Sequence, residues 1–534
     1  MSNDAQQLEA IKNGYSFEGK TIPLGVATCD GVPDPEAKVS LPLSMMNRHG
    51  LVAGATGTGK TKTLQVLAEQ LSAQGVPVFL ADMKGDLSGL AAPGENSEKL
   101  AARSASLGQQ WEAKSFPTEF FTLGGEGIGV PIRATIESFG PILLSRVMDL
   151  NSTQESALQL IFHYADQKNL ELYNLADLRA VIQFLSSPEG KAELSGIGGI
   201  SSATAGVILR ELVTLEAEGM EKFFGEPEFE PQEFLRTAAD GRGVISILEL
   251  ANVQANPKLF STFLMWLLAD LFSELPEVGD VEKPKLVFFL DEAHLLFNGA
   301  SKAFKEAITQ TVRLIRSKGV GLFFITQTPK DLPAEVLGQL ANRVQHALRA
   351  FTPDDQKALT ATARTFPKSA YDMEEALTSA GIGEALVTVM SEKGAPSPVA
   401  KTKIFAPESL MAPAPEAISS VVAASSLNDR YATVVDSYSA YEKLTETQQK
   451  QEEQTLSAEQ QKEAERLAKE QEKLEKERAK EAERIARAEE RERQKRNDAA
   501  MRIGTNIVST LGRELVRSIF GTKRSSRRRG GGFF

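Results

Sequence analysis

The chain has 534 residues, more than one compact domain ordinarily holds, and its 42% hydrophobic and 25% charged content excludes a wholly disordered, collagen-like or disulfide-scaffold protein. A net charge of -11 gives the molecule as a whole no attraction for polyanions, so any nucleic-acid site must be a local patch or an interior channel. The single cysteine, Cys29, permits no internal disulfide, the opening residues Met1 to Gly14 lack a basic and an apolar targeting region, and the most apolar stretch, Leu259 to Phe272, is shorter than a bilayer requires and contains Asp270, so a cytoplasmic chain is expected.

The first fifty residues are polar and turn-rich and lead into the apolar run Gly50-Leu51-Val52-Ala53, which stops at a glycine-rich loop. From Thr63 to Gln74 the apolar residues Leu64, Leu67 and Leu71 have helical spacing, and Gly75 closes the helix. Val76 to Ala81 then reads as a second buried strand. Strand, glycine loop, helix and strand make a βαβ unit, which implies a parallel sheet with right-handed crossovers. Over about 138–237 the pattern turns helical without strands, predicting an inserted helical subdomain. Strand character returns at Gly243 to Leu248, followed by an apolar helix from Lys258 to Leu275, a strand at Leu286 to Leu290, a charged helix from about Ser301 to Ser317 and a strand at Val320 to Thr326. Short strands are expected near Val344 to Ala350 and Glu384 to Val389.

The core is expected to occupy 1–405, with a Pro-, Ala- and Ser-rich linker over 406–440. Residues 441–498 are dense in Glu, Lys, Arg and Gln. Leu456, Leu467, Leu474 and Ile485 are too sparse for a heptad seam, so a solvated helix held by pairs such as Glu465 with Lys469 is favoured over a coiled coil. Within 499–534, Ile503, Ile507, Val508, Leu511, Leu515, Val516, Ile519 and Phe520 share one helical stripe beside arginines and a basic tail. That segment reads either as a packing helix or as a membrane-surface or nucleic-acid anchor.

The strongest chemical signal is Gly54-Ala55-Thr56-Gly57-Thr58-Gly59-Lys60-Thr61, which satisfies G-x-x-x-x-G-K-[ST] between a strand and a helix. Glycines let the backbone wrap an anion, and N–H groups from Gly57 to Thr61 converge at a helix N-terminus that favours phosphate. Lys60 would reach the β- and γ-phosphates of ATP, and Thr61 would supply a hydroxyl to Mg²⁺. Thr63, in the same helix, is grouped with these nucleotide-binding residues. The apolar strand Leu286 to Leu290 ends in Asp291 and Glu292, as a Walker B strand does. Asp291 would hold the metal through water, and Glu292 would act as general base on the attacking water. A third strand ends in Ile325-Thr326-Gln327-Thr328, where the Gln327 amide is a candidate sensor that positions water at the γ-phosphate.

These motifs, in this order and with a helical insertion between them, resemble the HerA/FtsK family of hexameric P-loop ATPases, and within it the HerA-like branch. The likeness spans roughly Leu24 to Phe405 and rests on GATGTGKT, ADMKGD at Ala81 to Asp86, FFLDEAHLL, RLIRSKGVGLFFITQTP and LANRVQHALRAFTP. The resemblance implies a RecA-like core, a ring of six copies with ATP at the subunit interfaces, and an arginine finger donated in trans. Arg316 matches the finger's position, with Arg313 and Arg343 as lesser candidates. It also implies that hydrolysis drives DNA through a central pore. The barrel with which HerA translocases hold a nuclease is not carried over. The string Asp291-Glu292-Ala293-His294 supports an ATPase rather than strand separation, and the rival expectation is an ATP-gated switch that engages a protein or membrane partner through the C-terminal tail.

Overall fold

Short apolar runs closed by glycines and acidic residues assemble into one twelve-stranded sheet in a computed structural model, which describes residues 3–506 apart from 126, 195, 252–256, 280, 298–299 and 301. The strands are β1 (Thr21–Cys29), β2 (Val32–Pro42), β3 (Gly50–Ala53), β4 (Val78–Asp82), β5 (Thr118–Leu123), β6 (Val130–Ile132), β7 (Ile245–Glu249), β8 (Leu286–Leu290), β9 (Val320–Thr326), β10 (Asn342–His346), β11 (Glu384–Thr388) and β12 (Ala400–Ile404). Their spatial order is β2-β1-β12-β11-β10-β3-β9-β8-β4-β7-β5-β6. From β10 to β6 every neighbouring pair is parallel. The phosphate-loop strand β3 is separated from the carboxylate strand β8 by β9, whose Thr326 pairs with Ala53. All three therefore end at the same sheet edge, where parallel α/β folds hold ligands.

The central strands are apolar on both faces because helices cover both. Alternation sends Phe288 to one side, 5.0 Å from Phe79 between ring centroids, and Phe289 to the other, 5.2 Å from Phe323. The helix Lys60–Ala73 packs Leu64, Leu67 and Leu71 into the Phe289 layer. On the opposite face the helix Pro257–Glu274 is apolar all round, with Phe263, Leu264, Trp266 and Leu267 buried. Both the sheet and the inserted helices contribute to its surroundings. Insertion helices run at Ile136–Val147, Ser152–Gln167, Leu175–Ser186, Pro188–Leu194 and Ser202–Ala217. Capping boxes at Asn151 and Asn174 set the start of two of them.

Two expectations about the core are corrected. The opening fifty residues carry a helix, Asn3–Gly14, and the antiparallel pair β1–β2. Asp30 and Gly31 turn that hairpin with φ of 49° and 80°, the conformation an Asp-Gly turn favours. With β11 and β12 these strands form an antiparallel wing beside β10. Strands β5 and β6, which precede the insertion, were also not anticipated.

The span 406–440, expected to be a flexible linker, is instead part of the folded unit, which extends to Glu446. The carboxylate of Glu69, on the Lys60–Ala73 helix, accepts hydrogen bonds from the amides of Glu408 and Ser409 at 2.8 and 3.0 Å and from the Ser409 hydroxyl at 2.5 Å. Trp111 Nε1 donates to the Pro407 carbonyl at 2.6 Å. The helices Pro415–Ala424 and Ser426–Tyr431 follow, and Leu427, Tyr431, Ala440 and Leu444 are buried. Pro, Ala and Ser dominate the composition here, but these few apolar side chains and backbone donors decide the conformation.

The second unit begins at Thr447. It contains most of a single 67-residue helix, Ala440–Asn506, exposed from Thr447 to Ala499. Glu472 with Lys476 at 2.5 Å and Glu483 with Arg487 at 2.6 Å pair along it. Leu456, Leu467, Leu474 and Ile485 are each more than half exposed. The basic amphipathic segment expected over 499–534 lies, from 507 onward, outside the described residues. Among the described residues no helix is long and apolar enough to cross a membrane.

Candidate nucleotide site

The loop between β3 and the Lys60–Ala73 helix is built on backbone freedom that glycine supplies. Gly54 adopts φ 153° and Gly59 φ 114°. A Cβ at Gly54 would stand 2.5 Å from the Cβ of His346, and one at Gly59 would stand 3.2 Å from the amide nitrogen of Gly383. The loop is tied on both sides. Gly54 N–H donates to Thr326 O at 3.2 Å, Ala55 N–H to Ala347 O at 2.8 Å, and Gly383 N–H to Thr58 O at 2.9 Å. The Lys60 ammonium donates to the carbonyls of Gly54 at 2.7 Å and Ala55 at 3.1 Å, and Thr58 Oγ1 donates to Ala55 O at 2.7 Å. Burial lowers the Lys60 pKa, and the nearby ammonium of Lys84 lowers it further. Thr61 lies half-buried in the first helical turn.

Thr63, grouped by sequence with the nucleotide-binding residues, packs against β10. It is fully buried, and its hydroxyl lies 2.8 Å from His346 Nε2, while His346 Nδ1 lies 2.9 Å from the Glu384 carbonyl. Because Nδ1 faces an acceptor, it carries the proton, and Nε2 accepts from Thr63. Thr63 therefore braces the loop helix against β10 instead of facing the loop cradle.

At the tip of β8, Asp291 is 5% exposed and Glu292 has φ 47°. Both carboxylates meet Lys84, whose Nζ lies 2.6 Å from Glu292 Oε1 and 3.6 Å from Asp291 Oδ2. The position of Lys84 follows from Asp82, the buried last residue of β4. Its Oδ1 accepts from the amides of Lys84 at 3.0 Å and Gly85 at 2.8 Å, and its Oδ2 accepts from Leu87 at 2.9 Å. This curls residues 82–87 tightly, and because Ala81 pairs with Leu290 the curl opens beside the tip of β8. Burial pushes the Asp291 carboxyl up to about 6 against the opposing pull of the Lys84 ammonium. Burial alone would lower Lys84, but the carboxylates of Asp291 and Glu292 outweigh it and the pKa is raised. Glu249, next to Asp82 on β7, is raised to about 7 by burial and by the charges of Asp82 and Asp86. His294 Nδ1 stands 3.3 Å from Glu292 Oε2 without the geometry of a hydrogen bond.

Gln327 is exposed just beyond β9 and lines a cavity of about 310 Å³ with Ala55, Thr56, Lys330 and Arg349. Asp331 fixes its loop, accepting from Thr326 Oγ1 at 2.7 Å and from the Thr328 amide at 3.1 Å. Arg316 lies elsewhere. It opens the turn Arg316–Lys318 that precedes β9, so the length of the strand, roughly 23 Å at 3.3 Å per residue, separates it from the loop edge of its own chain. Arg313 is exposed on the preceding helix, and Arg343, at the start of β10, donates to Thr365 O at 3.2 Å. The fold thus brings Lys60, Thr61, Asp291, Glu292 and Gln327 to one edge and leaves the three arginines toward the other. Sequence reasoning missed Lys84 and His346 as members of the site. Both stood inside segments already singled out, ADMKGD and LANRVQHALRAFTP, but only the curl at Asp82 and the contact with Thr63 give them a place.

The residues present fit a nucleotide-bound Mg²⁺. Thr61 and the buried carboxylate of Asp291 are hard oxygen donors, and the Lys84 ammonium already stands against the two carboxylates as a cation. Among the described residues no cluster of three or more His, Cys, Asp or Glu is arranged for a metal.

The helicase HerA-like C-terminal family model matches residues 29–529. The chain is similar to the DNA double-strand break repair helicase HerA of Saccharolobus solfataricus, 21% identical over 381 residues that cover 71% of this chain and 68% of that one. It is also similar to a probable helicase of Methanocaldococcus jannaschii, 35% identical over 109 residues, 20% of each chain. Among solved structures, the bacterial conjugative coupling protein TrwBdeltaN70 in its unbound monoclinic form shares the fold, with a TM-score of 0.50 and 14% identity over 76% of this chain and 94% of that one.

Proposed function

This chain belongs to the helicase HerA-like C-terminal family, and we propose that it hydrolyses ATP to ADP and phosphate with Mg²⁺ and, as a hexameric ring, uses the hydrolysis to move DNA. The observation that carries the ATPase reading is the meeting of a tethered phosphate loop with Asp291 and Glu292 at one sheet edge, with Gln327 between them just beyond β9. In this reading the loop amides and Lys60 hold the β- and γ-phosphates, and Gln327 orients the attacking water. Glu292 accepts the water proton as the new oxygen–phosphorus bond forms and the bond to the β-phosphate oxygen breaks. Thr61 and, through water, Asp291 would hold Mg²⁺, which would supply neutralising charge to the phosphate oxygens.

Arg316 supports an assembled enzyme. An exposed arginine a strand's length from its own loop can act on the nucleotide of a neighbouring copy, where its guanidinium would stabilise charge on the γ-phosphate. With a net charge of -11, DNA contact belongs to local loops facing a pore, and its strength falls steeply with salt as counterions cease to be released.

The test is steady-state ATP hydrolysis alone and with double-stranded DNA, single-stranded DNA or RNA over a salt series. Stimulation by DNA that declines with salt supports the translocase. A second reading, an ATP-gated switch for a protein or membrane client, draws on the exposed charged helix after Thr447. Robust turnover indifferent to all three polymers favours that reading.

A further inference from the structure

The cation that meets both Walker B carboxylates belongs to the protein itself. Lys84 Nζ lies 2.6 Å from the candidate base and 3.6 Å from the candidate metal ligand. The lysine does not reach them as a free surface arm. Four backbone amides converging on Asp82 fix the turn that carries it, and Asp82 is fully buried. Lys84 also stands close enough to Lys60 to depress that ammonium, so it borders the position of the phosphates as well as that of the metal. Glu292 has only one oxygen in a good interaction, since Oε2 faces His294 without hydrogen bonding.

We propose that Lys84 is a positioning residue that holds the Glu292 carboxylate in place for its role as base, and that competes with Mg²⁺ for the Asp291 side of the pair. The inference rests on the ATPase reading for its catalytic half only. A monovalent cation built against the carboxylates does two opposed things. It holds the base in position, and it must be displaced from Asp291 when the divalent ion arrives. Removing it should therefore ease metal binding while harming turnover, whereas a residue that merely supported the fold would weaken both when removed.

The test compares the wild type, Lys84→Met and Lys84→Arg in the full chain. One readout is the Mg²⁺ concentration for half-maximal binding of a fluorescent, non-hydrolysable ATP analogue; the other is kcat for ATP. Lys84→Met should lower the half-maximal Mg²⁺ concentration about threefold or more and lower kcat about tenfold or more. Lys84→Arg, which keeps the charge, should stay within about threefold of wild type in both readouts. Any other pairing in Lys84→Met, whether both functions weakened, neither changed or only one altered, overturns the proposal. An inactive wild type would instead count against the ATPase reading, and the Mg²⁺ measurement would still decide whether Lys84 competes with the metal.

Discussion

The imidazole of His346 joins two elements of the nucleotide site, accepting from the Thr63 hydroxyl at 2.8 Å through Nε2 while Nδ1 holds the Glu384 carbonyl at 2.9 Å. In the neutral ring Nε2 accepts the hydroxyl's hydrogen, whereas protonation would place a positive charge in a fully buried site. Burial, helped by the Lys60 ammonium and opposed by the hydrogen bond to the Glu384 carbonyl, depresses the pKa from 6.5 to about 4. A base whose folded pKa is depressed contributes stability that is present above pH 6.5 and is lost as the pH falls through 4. Urea melts between pH 7 and pH 4 should show the wild type losing on the order of 3 kcal/mol more than His346→Gln, as a shift of this size implies. Parallel pH curves for the two proteins would contradict the assignment.

Gly54 is the loop position with the least room. At φ 153°, with a virtual Cβ 2.5 Å from that of His346, Gly54→Ala must displace the loop or β10. A loss of about 1–3 kcal/mol of stability is expected, together with loss of ATP-analogue binding. The check is a thermal melt and an analogue titration on the same sample.

The path of the chain after Phe405 sets where truncation is tolerated. Ending the protein at Glu446 removes the second unit and should leave the melting transition and basal turnover intact. Ending it at Ala406 removes the buried Leu427, Tyr431 and Leu444 and strips the Glu69 carboxylate of three donors. Each lost partner of a buried acceptor costs about 1–3 kcal/mol, so this shorter chain should be insoluble or should melt far lower. Equal melting of the two truncations would show that the segment is dispensable.

If Arg316 acts in trans, two dead proteins should complement each other. Arg316→Ala and Glu292→Gln should each lower kcat about a hundredfold or more, and their mixture should recover part of the lost turnover through interfaces that pair an intact Arg316 with an intact Glu292. A mixture no more active than its components would place the finger elsewhere.

Gln327→Ala addresses the sensor. Turnover should fall about tenfold or more while analogue affinity stays within about threefold, because the amide is assigned to water rather than to nucleotide. An equal loss of affinity would move Gln327 into the binding contacts.

The parallel core was legible because Leu286 to Leu290 and Val320 to Thr326 are unbroken apolar runs, and because a glycine loop between strand and helix has a specific use. The antiparallel wing was not, although Asp30-Gly31 is a hairpin signal. Pro23, Pro33 and Pro35 break the alternation around it, and register shifts between Pro23 and Gly25 and between Val26 and Thr28 blur the period of two. Site residues carried by strand ends were readable one by one. Lys84 was not, since its role depends on a turn made by the side chain of Asp82 and on β4 lying beside β8, a neighbour more than two hundred residues away in sequence. Composition misled over 406–440 for the same reason: a few long-range hydrogen bonds outweigh a flexible-looking residue content.

The most direct measurement is phosphate release from ATP by the wild type and by Glu292→Gln, alongside the affinity of each for a non-hydrolysable ATP analogue with Mg²⁺. The account predicts steady turnover in the wild type, a fall of about a hundredfold or more in the variant, and analogue affinities within about threefold of each other. Unchanged phosphate release in Glu292→Gln would contradict the assignment of the base, and a wild type that binds nucleotide without releasing phosphate would contradict the ATPase itself.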